Sequence, residues 1–323
     1  MKHYTPMKLI PPCKDYLWGG DRLKKEYGIQ SDLDIVAESW ELSCHKDGNS
    51  VIANGEFAGK TLLEFVQSQG NSVLGTNCAS FENFPVLIKF IDAKKDLSVQ
   101  VHPDNDYALR VEGEYGKTEM WYILDCDEGA SLLYGFREAI SPEEFRRRIE
   151  ENTLLEVTNR VPVHPGDVFF IDAGTLHAIG SGILIAEIQQ NSNTTYRIYD
   201  YGRLGADGKP RALHIEKALE VTSLTPPTRE PKPMGEPQQM DGYCATLLGS
   251  CEYFHVEKLE LQEKALRTAG EDSFLSYLCI EGSAKMTVHG ETFLLQKGDS
   301  YFLPAGSGEI YWEGKAVLLE TKL

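Results

Sequence analysis

No stretch of this sequence approaches the ~18 consecutive apolar residues that a membrane-spanning helix needs. The first thirty residues, interrupted by Lys2, Lys8, Pro11, Pro12, Lys14 and Asp15, offer no unbroken apolar core of the kind a secretory signal requires. A soluble, cytoplasmic protein is the expectation. Positive charge is scarce: 32 Lys and Arg stand against 49 Asp and Glu, a net charge of −17, which repels nucleic-acid phosphates and anionic lipid alike. Neither is an expected partner, and a small anionic substrate is admitted only if several bases gather at one pocket. Cysteine is sparse too. The seven thiols, at 13, 44, 78, 126, 244, 251 and 279, contain no C-x-x-C pair and read as reduced side chains in a cytosolic protein.

Helix signals are also few. KTLLEFVQSQ (60–69) puts Leu62, Leu63, Phe65 and Val66 roughly on one side, SPEEFRRRIEE opens with Ser141 as cap and Pro142 in the first turn, and IEKALEV covers 215–221. Between them lie short apolar or alternating runs: FPVLIKFI, LSVQV, EMWYIL, SLLYGF, DVFFI and GILIAEIQ. Such runs, bounded by Gly, Asp and Pro, predict a β-sandwich or barrel carrying a few helices. The segment 224–239 holds five prolines and reads as an extended connector. Strand-like runs resume after it, among them FLSYLCI, AKMTVHG, IYWEG and AVLLE, so we expect a first unit over 1–222, a Pro-rich linker over 223–239 and a second all-β unit over 240–323. A short internal repeat links the units: PGDVFFIDAGTLHAI (165–179) aligns with KGDSYFLPAGSGEIY (297–311) at an offset of 132 residues. A rougher upstream match pairs Tyr122 with Tyr277, setting Glu119 against Phe274 and His177 against Glu309. The second copy thus keeps scaffold residues and lacks candidate ligands.

The chemistry concentrates in LSVQVHPDN (97–105). Strand parity puts Gln100 and His102 on one face and Val99 and Val101 on the other, leaving open whether the polar pair meets water, a core hydrogen bond or a metal ion. Glu119, in KTEMWYIL, and His177, in AGTLHA, complete a set of two imidazoles, one carboxylate and one amide oxygen that suits a divalent cation. His3, His45, His164, His214, His255 and His289 are assigned no part in it.

These stretches resemble the type I mannose-6-phosphate isomerases of the cupin superfamily, in their short bacterial form. The similarity runs through YLWGG (16–20), IVAESWELS (35–43), LIKFIDAKKDLSVQVHPD (87–104), GKTEMWYIL (116–124), PGDVFFIDAGTLHAI (165–179) and AEIQQNSNTTYRIYDYGR (186–203). The resemblance implies a mainly β protein of two cupin-type jelly-roll barrels, the second degenerate, with a small helical part. It implies one zinc ion per chain on Gln100, His102, Glu119 and His177. It also implies catalytic roles for Arg197, Lys117 and Glu187, and substrate-phosphate contacts from Lys89 and Ser98. The implied partner is a phosphosugar interconverted between aldose and ketose; the chain is expected as a monomer, a homodimer being the alternative. Two positions depart from some family members, which carry a histidine where Gly116 stands and an aspartate where Asn193 stands; both residues are linked there to opening the sugar ring. Two rival readings remain at this stage. One is a non-haem iron oxygenase, which Gln100 would hinder by filling a coordination position; the other is a sugar-binding protein without turnover.

Overall fold

The computed structural model describes residues 4–205 and 208–323; His3 lies outside them. The protein is mainly β, and its predicted apolar runs become strands in two facing sheets. One sheet has six strands, in the order Val168–Ile171, Glu119–Cys126, Ile183–Gln190, Val86–Ala93, Glu38–Leu42 and Cys13–Lys14. The other has five: Thr158–Pro162, Ser131–Phe136, His177–Ala178, Val99–Val101 and Tyr196–Tyr199. Between them lies a core of Trp18, Ile91, Trp121, Ile123, Leu132, Tyr134, Phe169, Ile171 and Ile185, all buried. This is the sandwich of a flattened jelly roll, and its interior is where alternate residues of both sheets meet.

The three predicted helices form. Thr61 caps Leu62–Gln69 through a reciprocal bond with Glu64, and Ser141 accepts from the Glu144 backbone at the start of Pro142–Glu150. Pro142–Glu150 and Ile215–Val221 contribute Phe145 and Ala218 to a core on the outer face of the five-stranded sheet. Asn105–Val111 was not foreseen. It starts at Asp104, whose side chain accepts from the Tyr107 backbone, and it buries only Ala108, so no apolar stripe announces it.

The chain from Gln238 onward supplies eight strands of a ten-stranded sheet. Four runs that read as separate strands are two long ones, Leu275–Val288 and Gly308–Lys322. The glycines that suggested strand ends, Gly282 and Gly314, lie inside them at φ 72° and 137°. A Cβ on Gly282 would sit 2.3 Å from the Lys315 carbonyl, so glycine here allows close backbone approach at a bulge rather than a stop. The sheet also takes strands from the start of the chain: Met7–Ile10 pairs with Ser300–Leu303 on one side and Val51–Ile52 on the other. The outer face of the six-stranded sheet (Met120, Val168, Phe170, Ile188) shares a core with Phe254, Phe274, Phe302 and Leu319 of this second sheet.

The ladders also correct the upstream repeat register by one residue. Ile171 pairs with Glu119 and Leu303 with Leu275, so the 132-residue offset equates Glu119 with Leu275 and Trp121, not Tyr122, with Tyr277. Burial agrees, since Trp121 and Tyr277 are both fully enclosed while Tyr122 is half-buried; a one-residue slip would have moved each side chain to the opposite face.

Candidate metal centre and active site

Strand pairing brings the four predicted ligands to one place. His177 lies directly opposite Gln100, while Glu119 opens a strand of the facing sheet opposite Ile171. Val99 and Val101 turn outward into the helix-covered core, as parity requires, leaving Gln100 and His102 facing inward. The candidate ligating atoms of His102, Glu119 and His177 all lie within 4.8 Å of one another. Glu119 Oε1 is 3.4 Å from His177 Nε2, and Glu119 Oε2 is 3.7 Å from His102 Nε2. Gln100 Nε2 is 3.3 Å from His177 Nε2, and a half-turn of that amide would present its oxygen instead.

The donor set fits a cation. His102 Nδ1 lies 2.9 Å from the Thr194 carbonyl and His177 Nδ1 lies 2.8 Å from the Thr175 carbonyl. A carbonyl only accepts, so both protons belong on Nδ1 and both Nε2 lone pairs point inward. Burial holds His177 down to about 4 and His102 well below the ordinary imidazole value, so both are neutral at pH 7. The hydrogen-bonding neighbours of the inward nitrogens are the Gln100 amide on His177 and the Lys117 ammonium, 3.2 Å from His102 Nε2 and also bonded to Glu119 Oε2. Lys117 therefore stands where positive charge is wanted. Glu119 Oε1 is fully buried without a hydrogen-bond partner, an arrangement that costs several kcal/mol unless a cation answers it.

Around this centre lie a second carboxylate and a second ammonium. Glu187 Oε2 accepts from Trp121 Nε1 at 2.9 Å, while its Oε1 lies 3.3 Å from Lys89 and 3.7 Å from Lys117. Burial alone would raise the Glu187 carboxyl, but the two lysines and the indole N–H outweigh it and hold the group well below the usual range. Glu119 moves the other way, pushed up to about 7 by burial and by the neighbouring Glu187 charge against the pull of Lys117. Lys89 is buried between Glu187 and Glu38, the latter 3.7 Å away and itself accepting from Trp40 Nε1 at 2.8 Å. The Lys89 charge is thus already answered by two carboxylates. Sequence reasoning had left Glu38 unassigned, although it lies in IVAESWELS.

A cavity of about 290 Å³ opens from the centre; Gln100, Lys117, Glu187, Lys89, Ser98 and Arg197 are among its walls. Its mouth is basic. Arg197 Nε donates to Ser98 Oγ at 3.3 Å, and Arg211 and Arg203 both bind the buried Asp200, so two guanidiniums share one carboxylate. Arg211, which also lines the cavity, was not singled out in the sequence because no local pattern links position 211 to 98. Tyr16 and Trp18 complete the wall, held by Gly19 and Gly20, whose added Cβ atoms would each lie 2.3 Å from Ala37 or Asp92. Gly116 has a similar cause: a Cβ there would stand 2.4 Å from the Asp104 carbonyl carbon, so this backbone has no room for a side chain. The Asn193 amide lines the cavity and donates to Asp47 at 2.9 Å.

The second unit lacks the ligands at matching positions. Glu309 pairs with Thr268 as His177 pairs with Gln100, and Leu275 stands for Glu119. It nevertheless keeps a counterpart of Glu187: Glu320 pairs with Tyr277 as Glu187 pairs with Trp121, and the Tyr277 hydroxyl donates to Glu320 at 2.6 Å. Arg267 forms an ion pair with that carboxylate. A larger hollow of about 590 Å³ lies on this unit, lined by apolar and charged side chains together, among them Leu266, Tyr311, Trp312, Asp241, Lys264 and Glu313.

Comparison with known proteins gives concordant matches. Residues 7–127 match the family model "Phosphomannose isomerase type I, catalytic domain", and residues 245–322 match "Mannose-6-phosphate isomerase, cupin domain". The chain is 39% identical over 319 residues to mannose-6-phosphate isomerase ManA of Bacillus subtilis, covering 98% of this chain and 99% of that one. It is 40% identical over 301 residues to the mannose-6-phosphate isomerase of Streptococcus mutans, covering 93% and 92%. A crystal structure of the mannose 6-phosphate isomerase from Bacillus subtilis superposes with a TM-score of 0.92 at 36% identity, covering 99% of this chain and all of that one.

Proposed function

The chain belongs to the type I mannose-6-phosphate isomerases, and from that premise we propose that it interconverts mannose 6-phosphate and fructose 6-phosphate through a cis-enediol, with one zinc ion per chain. The observation that carries the metal is the convergence of two inward imidazole nitrogens and an unpartnered, fully buried carboxylate oxygen. Gln100, His102, Glu119 and His177 would hold the ion, whose chemistry when bound is to polarise and orient the sugar oxygens.

The protein groups divide the remaining work. Isomerisation removes a proton from C2 and returns one to C1. Glu187, kept anionic by its lysine neighbours, and Lys117, 3.7 Å from it, form the pair that moves the proton. Arg197 keeps its charge throughout and stabilises the enediolate oxygen. The phosphate meets Ser98 and Lys89, as the resemblance implies, and we add Arg211, which lines the same cavity beside Arg197 and Ser98. Arg197 and Arg211, both lining the cavity, supply local positive charge in a chain of net charge −17. We further propose that 1–222 forms the catalytic unit and 240–323 the degenerate one, joined by 223–239, and that the protein works in the cytoplasm as a monomer.

A coupled assay of mannose 6-phosphate conversion tests the reading. Turnover is abolished by a chelator and returns with zinc. Full activity in exhaustively chelated protein refutes the metal assignment; no turnover in zinc-loaded protein refutes the reaction.

A further inference from the structure

Among the described residues no hydrogen bond or ion pair joins the proposed ligands directly to the hairpin formed by Cys44–His45 and Gly48–Asn49, yet a chain of contacts links them. Glu114 sits between the two. Its carboxylate forms an ion pair with Lys46 of the hairpin, lies 3.8 Å from His45 Nε2, and accepts from Thr194 Oγ1 at 3.3 Å. The backbone N–H of Asn193 also binds it. Thr194 is the residue whose carbonyl receives the Nδ1 proton of His102. The neighbouring Asn193 side chain is tied to the same hairpin through Asp47. One carboxylate therefore holds the Thr194 side chain and the backbone of the residue before it, and the Thr194 carbonyl holds His102 in its ligating tautomer.

We propose that Glu114 is a positioning residue for the metal centre, acting through Thr194 to orient His102, with Lys46 holding Glu114 in turn. The inference rests on the metal reading above. Groups that orient a ligating histidine typically contribute ~10–100-fold to metal affinity when removed. Glu114 is placed to do so from outside the cavity, touching no proposed ligand and no cavity-lining catalytic group.

The test is competition of zinc between the full-length protein and a chromophoric chelator, with the ligand-field spectrum of the cobalt-substituted form. Glu114→Ala is expected to weaken zinc about 10–100-fold and to alter the cobalt spectrum. At saturating zinc it lowers kcat while KM for mannose 6-phosphate stays within about twofold. Glu114→Gln, which can still accept from Thr194, recovers most of the affinity, and Thr194→Val, which keeps the carbonyl but loses the hydroxyl, reproduces part of the loss. Should Glu114→Ala fail to fold, the Thr194→Val and Glu114→Gln results decide alone. Wild-type zinc affinity and spectrum in Glu114→Ala and Thr194→Val would overturn the proposal. Absence of zinc binding by the wild-type protein would instead overturn the reading on which it rests.

Discussion

Replacing Lys89 by Met keeps the aliphatic stem and deletes one buried charge. Glu187 at 3.3 Å and Glu38 at 3.7 Å would then lie buried with less compensation. Burial opposes the ammonium, but Glu38, Glu187 and Glu119 outweigh it and raise the Lys89 pKa, so the charge is present throughout the neutral range. At an effective dielectric of ~20 each contact corresponds to roughly 4–5 kcal/mol of Coulomb attraction before desolvation is subtracted. Breaking such a buried pair from one side costs about 3–5 kcal/mol net. With a urea dependence of about 3 kcal/mol per molar, the first unfolding midpoint should fall by roughly 1–1.7 M. The double variant Lys89→Met/Glu38→Gln removes one orphaned charge and should recover a large part of that loss. In the coupled assay, KM for mannose 6-phosphate should rise at least about tenfold in both variants, the size of one lost charge-assisted hydrogen bond. An unchanged midpoint in Lys89→Met would refute the ion-pair reasoning, whereas an unchanged KM would remove Lys89 from the phosphate subsite. The two readouts fail independently.

Three further outcomes are expected. Arg197→Ala should lower kcat by about 10²–10³-fold, in the range for one lost oxyanion donor, with a smaller change in KM; equal losses in both would make Arg197 a binding group. Glu41 is fully buried, with Ser39 Oγ donating to Oε1 at 2.6 Å and Oε2 unpartnered, and burial pushes its carboxyl up to about 8. Its folded pKa exceeds the unfolded value, so the folded state binds the extra proton. Stability from this group is present below about pH 4.5 and is lost as pH rises toward 8. Glu41→Gln should accordingly stabilise the protein on the order of 3 kcal/mol at pH 8.5 and hardly at all at pH 4.5, measured by urea unfolding at both; a gain independent of pH would contradict the assignment. In the second unit, Arg267→Leu strands the buried Glu320 and should cost about 3–5 kcal/mol while kcat at saturating zinc is retained; a large fall in kcat would tie this unit to catalysis.

Local geometry was legible in the sequence where one element decides it. Period-two parity separated Gln100 and His102 from Val99 and Val101, the one-sided run of Leu62, Leu63, Phe65 and Val66 marked one helix, and the Ser141–Pro142 pair marked the start of another. Relations set by distant partners were not legible. Nothing local to Met7–Ile10 indicates that it pairs with Ser300–Leu303, and nothing near Arg211 links it to Ser98 or Asp200. The upstream repeat failed by one residue because it was anchored on identical tyrosines, whereas the sheet conserves an enclosed aromatic ring that donates to a buried glutamate, Trp121 to Glu187 and Tyr277 to Glu320. Gly282 and Gly314 misled for a related reason: close backbone approach inside a strand and a turn at its end call for the same residue.

The central claim is that one divalent cation sits among four side chains contributed by facing sheets, and an anomalous-difference map collected at the zinc edge from zinc-loaded crystals tests it most directly. The account predicts one strong peak per chain within about 2.0–2.3 Å of His102 Nε2, His177 Nε2, a Glu119 oxygen and the Gln100 amide oxygen. A featureless map at that place in protein that has retained one equivalent of zinc would contradict it.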